Sequence, residues 1–495
     1  MTPVEPHSTS IVLAIVGALL LGGALFSRAT ERVGVPVLLA FLGLGMLAGS
    51  EGLGRLAFED YHLAYRLGTI ALVFILFDGG FNTAVSHVRR VAGPAAMLGT
   101  FGVIGTAGLL ALGARLLLHL DWEEAMLLGA IVSSTDAAAV FAVLRGRGIH
   151  LKEHVGATLE VESGANDPMA LILTTLVTRH MVAVHPPSIW LAALSVVIEI
   201  AIGAAVGLAI GFGGRALLAR SRLSSNGLYA VVLIGLACLA FAVPTLIHGS
   251  GFLSVYVSAI VLGNGKLPLK RGLVRVHDAL AWLGQVMMFV TMGLLVFPSR
   301  LIQIAGPGLL VAAFLTIVAR PLVVWLSLLP FRLFRPREVV YIGWVGLRGA
   351  IPIILATFPV LAGARGAERI FDLTFFVVVM SAILPGATVG PLARRLRLVS
   401  DEPPPPQAVL EIDSRQPLNG DLISFYVDEA LPVAGERLAN VPFPPSAAVT
   451  LIVRGSELLA PRGDTELLPG DHLYVFARDE DRATIQLLLG RPEQS

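Results

Sequence analysis

Residues 160–167 read Glu-Val-Glu-Ser-Gly-Ala-Asn-Asp, three carboxylates and an amide at the edge of a run otherwise apolar enough for lipid. On a helix Glu162 and Asn166 stand four apart, as do Ser163 and Asp167, so the four side chains line adjoining stripes of one turn. Such a turn can offer several oxygens to one small cation. Other polar groups interrupt apolar runs elsewhere: Asp78 in "LVFILFDGGFNTA", Ser133, Ser134, Thr135 and Asp136 in "SSTDAAAV", Arg320, and Arg348 in "GLRGAIPIIL". Ionisable groups at membrane depth are expensive to keep and usually mark ion or proton pathways. Arg320 has only Pro321 beside it and no polar neighbour, and reads as structural. His248 and His277 fall near the ends of apolar runs and read as interfacial.

The elements that carry these groups belong in a bilayer. A chain of 495 residues that is 55% hydrophobic and 14% charged, with mean hydropathy +0.79, cannot cover its apolar surface with polar groups in water. A net charge of +1 says nothing about nucleic acid, and with neither a basic arm nor an aromatic-basic stripe no such partner is expected. The single cysteine, Cys238, rules out an internal disulfide and a cysteine-based metal site, and reads as a small buried apolar group. Apolar runs long enough to cross about 30 Å of hydrocarbon number about thirteen. They fall near 11–27, 35–50, 68–84, 92–118, 124–144, 157–178, 189–214, 226–246, 251–264, 279–298, 304–329, 339–361 and 370–392. Loops after odd-numbered spans are basic, from Arg28 and Arg32 through Arg89, Arg145, Arg215, Lys270 and Arg335 to Arg394. The opposite loops hold only Arg55, Arg66, Arg179, Arg300, Arg365 and Arg369. The positive-inside rule then puts the N-terminus outside and the C-terminus in the cytoplasm. The first ten residues carry no Lys or Arg, so no cleaved signal peptide is expected.

The composition changes after the last span. A membrane domain over 1–396 gives way to a Pro-rich linker over 397–408, "RLVSDEPPPPQA", stiff enough to separate two units. Residues 409–495 read as a small α/β domain with strands in "SFYVDE", "VTLIVRG", "ELLAPRG" and "DHLYVFAR", a turn at "PGD", and a closing helix in "DRATIQLLLG".

Spans five and twelve break their apolar runs, one with Ser-Ser-Thr-Asp and the other with Gly346, Gly349 and Pro352. Interrupted spans in corresponding halves point to a transporter of inverted repeats with its site at the midplane. An acid near one break, Asp136, and a base near the other, Arg348, suit the neutralisation of the exposed helix dipoles. A carboxylate that faces two solutions in turn can exchange a proton for a cation if the two compete for it. Two other classes compete with this one. A potassium channel would show a Thr-Val-Gly-Tyr-Gly-like filter, which the sequence lacks. An intramembrane hydrolase could pair Asp136 with Asp167, but the amide and basic neighbours fit ion exchange better. No cofactor is expected.

Four stretches, "FDGGFN", "SSTDAAAVFAVLRGRG", "ESGANDPMA" and "GLRGAIPIILA", occur in this order over some 300 residues and resemble the bacterial monovalent cation:proton antiporters of the NhaP type. "ELLPGDHLYVFA" resembles a TrkA-C regulatory domain, a pairing that points to the potassium:proton subgroup. The resemblance implies an all-α, inverted-repeat fold with two broken crossing helices, a homodimer in the inner membrane, and exchange of K+ or Na+ for H+ in cation and pH homeostasis, not an enzyme activity. It assigns Asp167 as the essential carboxylate, Asp136 and Thr135 as the pair in the unwound fifth helix, and Ser163 as a further oxygen ligand, so that the monovalent cation would sit at these four residues. Asn166 matches the asparagine of an Asn-Asp pair that reads Asp-Asp in electrogenic relatives. Glu162 and Arg348 match an ion bridge between helices, and Asp78 an acidic position in the third helix that is often Glu. A small anion or nucleotide is the ligand that similar C-terminal domains would take.

Overall fold

A computed structural model describes residues 37–400, apart from 57, 59, 185–187, 222 and 266, and residues 420–492, apart from 430, 456, 479 and 491, with a few positions between 10 and 22. The first expected span and its loop arginines Arg28 and Arg32, and the linker beyond Ser400, lie outside or almost outside these residues. The chain divides into a helical unit that ends at Ser400 and a smaller sheet unit.

The helical unit begins with α1 (Leu38–Ala48), α2 (Tyr61–Asn82), α3 (Val85–Met97), α4 (Val103–Leu118), α5 (Trp122–Ile131), α6 (Ala137–Arg145) and α7 (Glu153–Val182). It continues with α8 (Ile189–Arg220), α9 (Asn226–Leu246), α10 (Gly251–Gly263), α11 (Lys270–Leu294), α12 (Pro298–Gln303), α13 (Ala305–Phe314) and α14 (Arg320–Leu328). It ends with α15 (Pro336–Trp344), α16 (Ile351–Leu361) and α17 (Ala367–Arg395). From the second onward, every expected span coincides with a helix or a pair of helices. Among the described residues seven helical stretches are long and apolar enough to cross a membrane. α7 is 30 residues long but is not one of them, because its acids dilute the apolar run.

α3 and α4 are joined by a π turn over Leu98–Gly102, and α13 and α14 by another over Leu315–Ala319. The second has a local cause. Pro321 has no N–H for the carbonyl four residues back, and the helix widens over Leu315–Ala319, just before Arg320 and Pro321. The buried faces of α6, α7, α15 and α17 meet in one apolar cluster around Val140, Leu144, Val155, Leu159, Tyr341, Ile342 and Val389. α8 packs on α10 through small residues at four-residue spacing: a Cβ on Gly203 would lie 2.6 Å from the Ser250 carbonyl oxygen, and one on Gly207 2.7 Å from that of Ser254. Such contact brings the two backbones together without any larger side chain between them.

Two expectations are corrected here. His277 is not interfacial but fully buried in α11, its ring 5.2 Å from Phe77 and 5.9 Å from Phe81 on α2, with Nδ1 2.8 Å from the Leu273 carbonyl oxygen. Apolar rings and one local backbone acceptor accommodate the imidazole away from solvent. Cys238 is exposed rather than buried, because it falls on the outward face of α9, whereas Leu233, Ala237 and Ala240 form the inward one. His248 is exposed, just beyond the end of α9.

The smaller unit is a four-stranded antiparallel sheet of β1 (Asp421–Tyr426), β2 (Ala448–Arg454), β3 (Glu457–Leu459) and β4 (Asp471–Ala477), in the order β1-β4-β2-β3, closed by α18 (Arg482–Leu489). β1 starts three residues before the expected strand. Ile423, Phe425, Ile452, Leu473 and Val475 pack with Ile485 and Leu489 of α18. Pro469 and Gly470 occupy the centre of the turn into β4, Gly470 at φ 96°, a conformation that glycine adopts freely. Arg454 grips the buried Asp471 with two bonds, Nε at 2.7 Å and Nη2 at 2.8 Å.

Candidate cation site

The fifth and twelfth spans are each interrupted, between Ile131 and Ala137 and between Trp344 and Ile351. Serine, threonine and aspartate side chains compete for backbone groups in the first break, and glycine weakens the helix in the second. The breaks meet: the Asp136 N–H donates to the Leu347 carbonyl at 2.8 Å. The approach is close enough to require Gly349, where a Cβ would lie 2.1 Å from Asp136 Oδ2.

Each exposed helix end in the first break has a countercharge. The Asp136 carboxylate caps α6 by accepting from the Ala139 N–H at 3.0 Å. Arg348 reaches across from the second break and donates from Nη1 to the carbonyls of Ser134 at 2.5 Å and Ser133 at 3.3 Å, just beyond the C-terminus of α5. An anion at a helix N-terminus and a cation at a C-terminus are both the favourable sign. Both charges act on the same break, instead of one on each.

α7 runs beside the breaks and passes Pro168 without interruption. Its polar turn divides by direction. Ser163 Oγ donates to the Thr135 carbonyl at 2.8 Å and accepts from the Ala137 N–H at 3.1 Å. Asn166 Nδ2 donates to Thr135 Oγ1 at 2.6 Å. Together they pin the unwound segment to α7. Asp167 is 5% exposed, and its Oδ1 has no hydrogen-bond partner among the described residues.

Ser163, Asp167 and Asp136 share one cavity of about 460 Å³ with Asp78 of α2, Glu160 of α7, Tyr256 of α10 and Asp278 of α11. Five carboxylates therefore face one guanidinium, Arg145, in its wall. The lining passes from exposed residues, Asp278 and Arg145, through half-buried Asp78 and Glu160 to the buried Asp167. Asp78 Oδ1 accepts from Asn82 Nδ2 at 3.0 Å, and Glu160 Oε1 accepts from Thr83 Oγ1 at 2.9 Å. Such a wall attracts cations and draws them toward its least hydrated acid.

The site residues expected from the sequence are thus split. Asp167, Asp136, Ser163 and Asp78 line the cavity, whereas Thr135, Asn166, Glu162 and Arg348 lie behind its wall. The expected Glu162–Arg348 bridge is replaced by another. Glu162, 1% exposed, pairs with Arg320 Nη2 at 2.5 Å, and Arg348 spends its Nη1 on the two carbonyls. The π turn before Pro321 delivers Arg320 to α7, so an arginine with no polar neighbour in sequence has a buried acid beside it in space. The cavity also contains groups that the sequence reading did not select. Asp278 sat in a stretch with the look of a basic loop, and only its seven-residue spacing to Gln285, which lines the same wall, could have exposed it. Tyr256 stands in the sequence as a single aromatic in the run "FLSVYVSAIV", which gives no sign of the cavity.

Comparison with known proteins agrees with this geometry. Residues 15–395 match the transmembrane sodium/hydrogen exchanger family, and residues 422–490 match the TrkA-C domain. The K(+)/H(+) antiporter NhaP of Alkalimonas amylolytica is 38% identical over 99% of this chain and 85% of its own length. The K(+)/H(+) antiporter NhaP2 of Shewanella sp. strain ANA-3 is 38% identical over 97% of this chain and 84% of its own. The solved structure of the sodium proton antiporter MjNhaP1 from Methanocaldococcus jannaschii at pH 8 superposes with a TM-score of 0.68 at 25% identity, covering 78% of this chain and 99% of that one. With two broken helices meeting at an acid-lined cavity, a family match over most of its length and a TrkA-C tail, the chain belongs to the sodium/hydrogen exchanger family and is a multi-pass monovalent cation:proton antiporter of the NhaP type.

Proposed function

We propose that this antiporter exchanges potassium, in preference to sodium, for protons, one for one, across the cell inner membrane by alternating access. The observation that carries the reading is Asp167, a buried carboxylate with an unpartnered oxygen at the inner end of an acid-lined cavity. A cation or a proton can neutralise it, but not both at once. An ionised carboxylate at the bilayer centre costs about 3 kcal/mol or more, so the empty site seldom crosses and the two fluxes stay coupled. Asp136 and Ser163 supply further oxygens, and the Thr135 carbonyl is a third source if Ser163 turns away from it. Asn166 and Arg348 hold the broken helices in place, and Asp78 gathers cations in the vestibule. Asn166, in place of a second acid, leaves one exchangeable charge on this turn, which supports electroneutral exchange.

The potassium preference rests on the two 38%-identical relatives, both named as K(+)/H(+) antiporters, and on the TrkA-C match. In the same reading thirteen spans form inverted repeats, with the N-terminus outside and the C-terminus in the cytoplasm. The alternation of basic loops supports that orientation. Residues 1–396 transport, 397–408 link, and 409–495 regulate, through a small anion or nucleotide. The chain works as a homodimer, and the largely exposed apolar surface of α8 supports a face for lipid or a second copy.

The test is Asp167→Asn, purified and reconstituted in proteoliposomes with cation and pH gradients set independently. Exchange should fall to background while the protein still folds and inserts. Retention of most of the normal rate would overturn the assignment, and conduction of cations without proton movement would favour a channel.

A further inference from the structure

We propose that the hydroxyl of Tyr256 is a further contact for the transported cation, offered from α10 to the cavity that Asp167 also lines. The proposal rests on the exchange reading above and concerns the same cavity.

The fold makes room for this ring at a visible cost. A Cβ on Gly164 would lie 2.1 Å from Tyr256 Cζ and 2.4 Å from its hydroxyl oxygen, so the ring stands directly on the backbone of α7. On the other side, a Cβ on Gly80 of α2 would lie 3.1 Å from Cδ2 and 2.7 Å from the Tyr256 carbonyl oxygen. Only glycine at both positions permits the placement. Gly164 lies between Ser163 and Asp167, three residues before the acid and hence on the same side of the helix. The phenol is therefore held level with the turn that carries Ser163 and Asp167.

Filling this notch needs a ring, not a hydroxyl. Tyr256 is only 7% exposed, and its hydroxyl is buried beside the Thr83 side chain, without a hydrogen bond of ordinary length and angle among the described residues. A buried polar group left unpaired is costly, and phenylalanine would occupy the same space without that cost. The hydroxyl is accounted for if a visiting group pairs with it. The cavity wall that it shares with Asp167, Glu160 and Asp136 is acidic, which selects a cation as the visitor. The phenolic oxygen has lone pairs to give a cation or a water of its shell. It is neutral and adds affinity without adding a charge, so the charge balance of exchange is untouched. Because α10 and α7 are separate elements, a cation held between Tyr256 and Asp167 spans both walls, and its size decides how well both contacts are made at once.

Tyr256→Phe keeps the ring in its notch and removes only the oxygen, so the protein should fold as before. In proteoliposomes driven by a pH gradient, the apparent KM for K+ should rise about fivefold, with the maximal rate within a factor of two. The ratio of K+ to Na+ affinities should shift, and the pH profile at saturating cation should not. Unchanged KM values and an unchanged K+ to Na+ ratio would overturn the proposal and leave the exchange reading intact. If instead the unaltered protein moves no protons against K+ or Na+, the exchange reading itself fails. Should the variant be inactive, thermal unfolding in detergent with increasing KCl against choline chloride decides. Loss of the K+-dependent stabilisation shown by the unaltered protein supports the contact, and a retained shift overturns it.

Discussion

Removal of either partner of the Glu162–Arg320 pair should destabilise the membrane domain more than any other single loss of a charge. The pair is 2.5 Å apart, with side chains 1% and 3% exposed, so neither charge can turn to solvent when the other is removed. Breaking a buried pair on one side typically costs about 3–5 kcal/mol, mostly from the charge left behind. The two sides are not equivalent. Arg348 lies in the field of both Arg320 and Glu162. Glu162→Gln leaves two buried guanidinium groups in each other's field without that acid, whereas Arg320→Met leaves Glu162 still in the field of Arg348. Glu162→Gln should therefore sit at the upper end of that range and Arg320→Met at the lower. The double variant should lose less than the sum, with a coupling of about 2–3 kcal/mol, the upper part of what contacting pairs show. Equilibrium unfolding in mixed detergent micelles, run on all four proteins, measures the cycle, and proteoliposome exchange shows whether transport survives in the double variant. Additive losses would refute the pairing. So would a Glu162–Arg348 cycle with coupling as large as that of Glu162–Arg320.

Gly349→Ala puts a Cβ where Asp136 Oδ2 now lies. The carboxylate must move, at an overpacking cost of about 1–3 kcal/mol, and exchange should drop at least tenfold while detergent-extracted protein remains monodisperse. Truncation after Ser400 should leave exchange intact and change its dependence on pH or on added small anions. A truncated protein that inserts normally yet exchanges nothing under any condition would make the tail part of the transport machinery. Electroneutral exchange predicts no sustained current in solid-supported membrane recordings and no effect of an imposed potential. A second proton, carried for example by Asp136, would make turnover respond to 100 mV, which is worth about 2.3 kcal/mol per elementary charge.

What the sequence by itself determined is whatever depends on near neighbours in the chain. Hydropathy located the helices because apolarity is summed over a window of about twenty residues. Ser133 to Asp136 and Gly346 to Pro352 marked the two breaks because those side chains and backbones disfavour a helix locally. The same locality made the strands and the Pro469–Gly470 turn of the tail legible. Only tertiary structure decided which charges meet. Arg320 and Glu162 are 158 residues apart, and the choice of Arg320 over Arg348 follows from the π turn that precedes Arg320 and from the reach of its side chain across to α7. His277 was moved inside by two phenylalanines of α2, and Cys238 outside by the rotation of α9, neither of which is a property of the local sequence. Four-residue spacing correctly grouped Ser163 with Asp167 and Glu162 with Asn166, but it could not tell which stripe faced the cavity. That depends on the elements packed against α7: the breaks take Asn166, Arg320 takes Glu162, and α2, α10 and α11 leave open space in front of Glu160, Ser163 and Asp167.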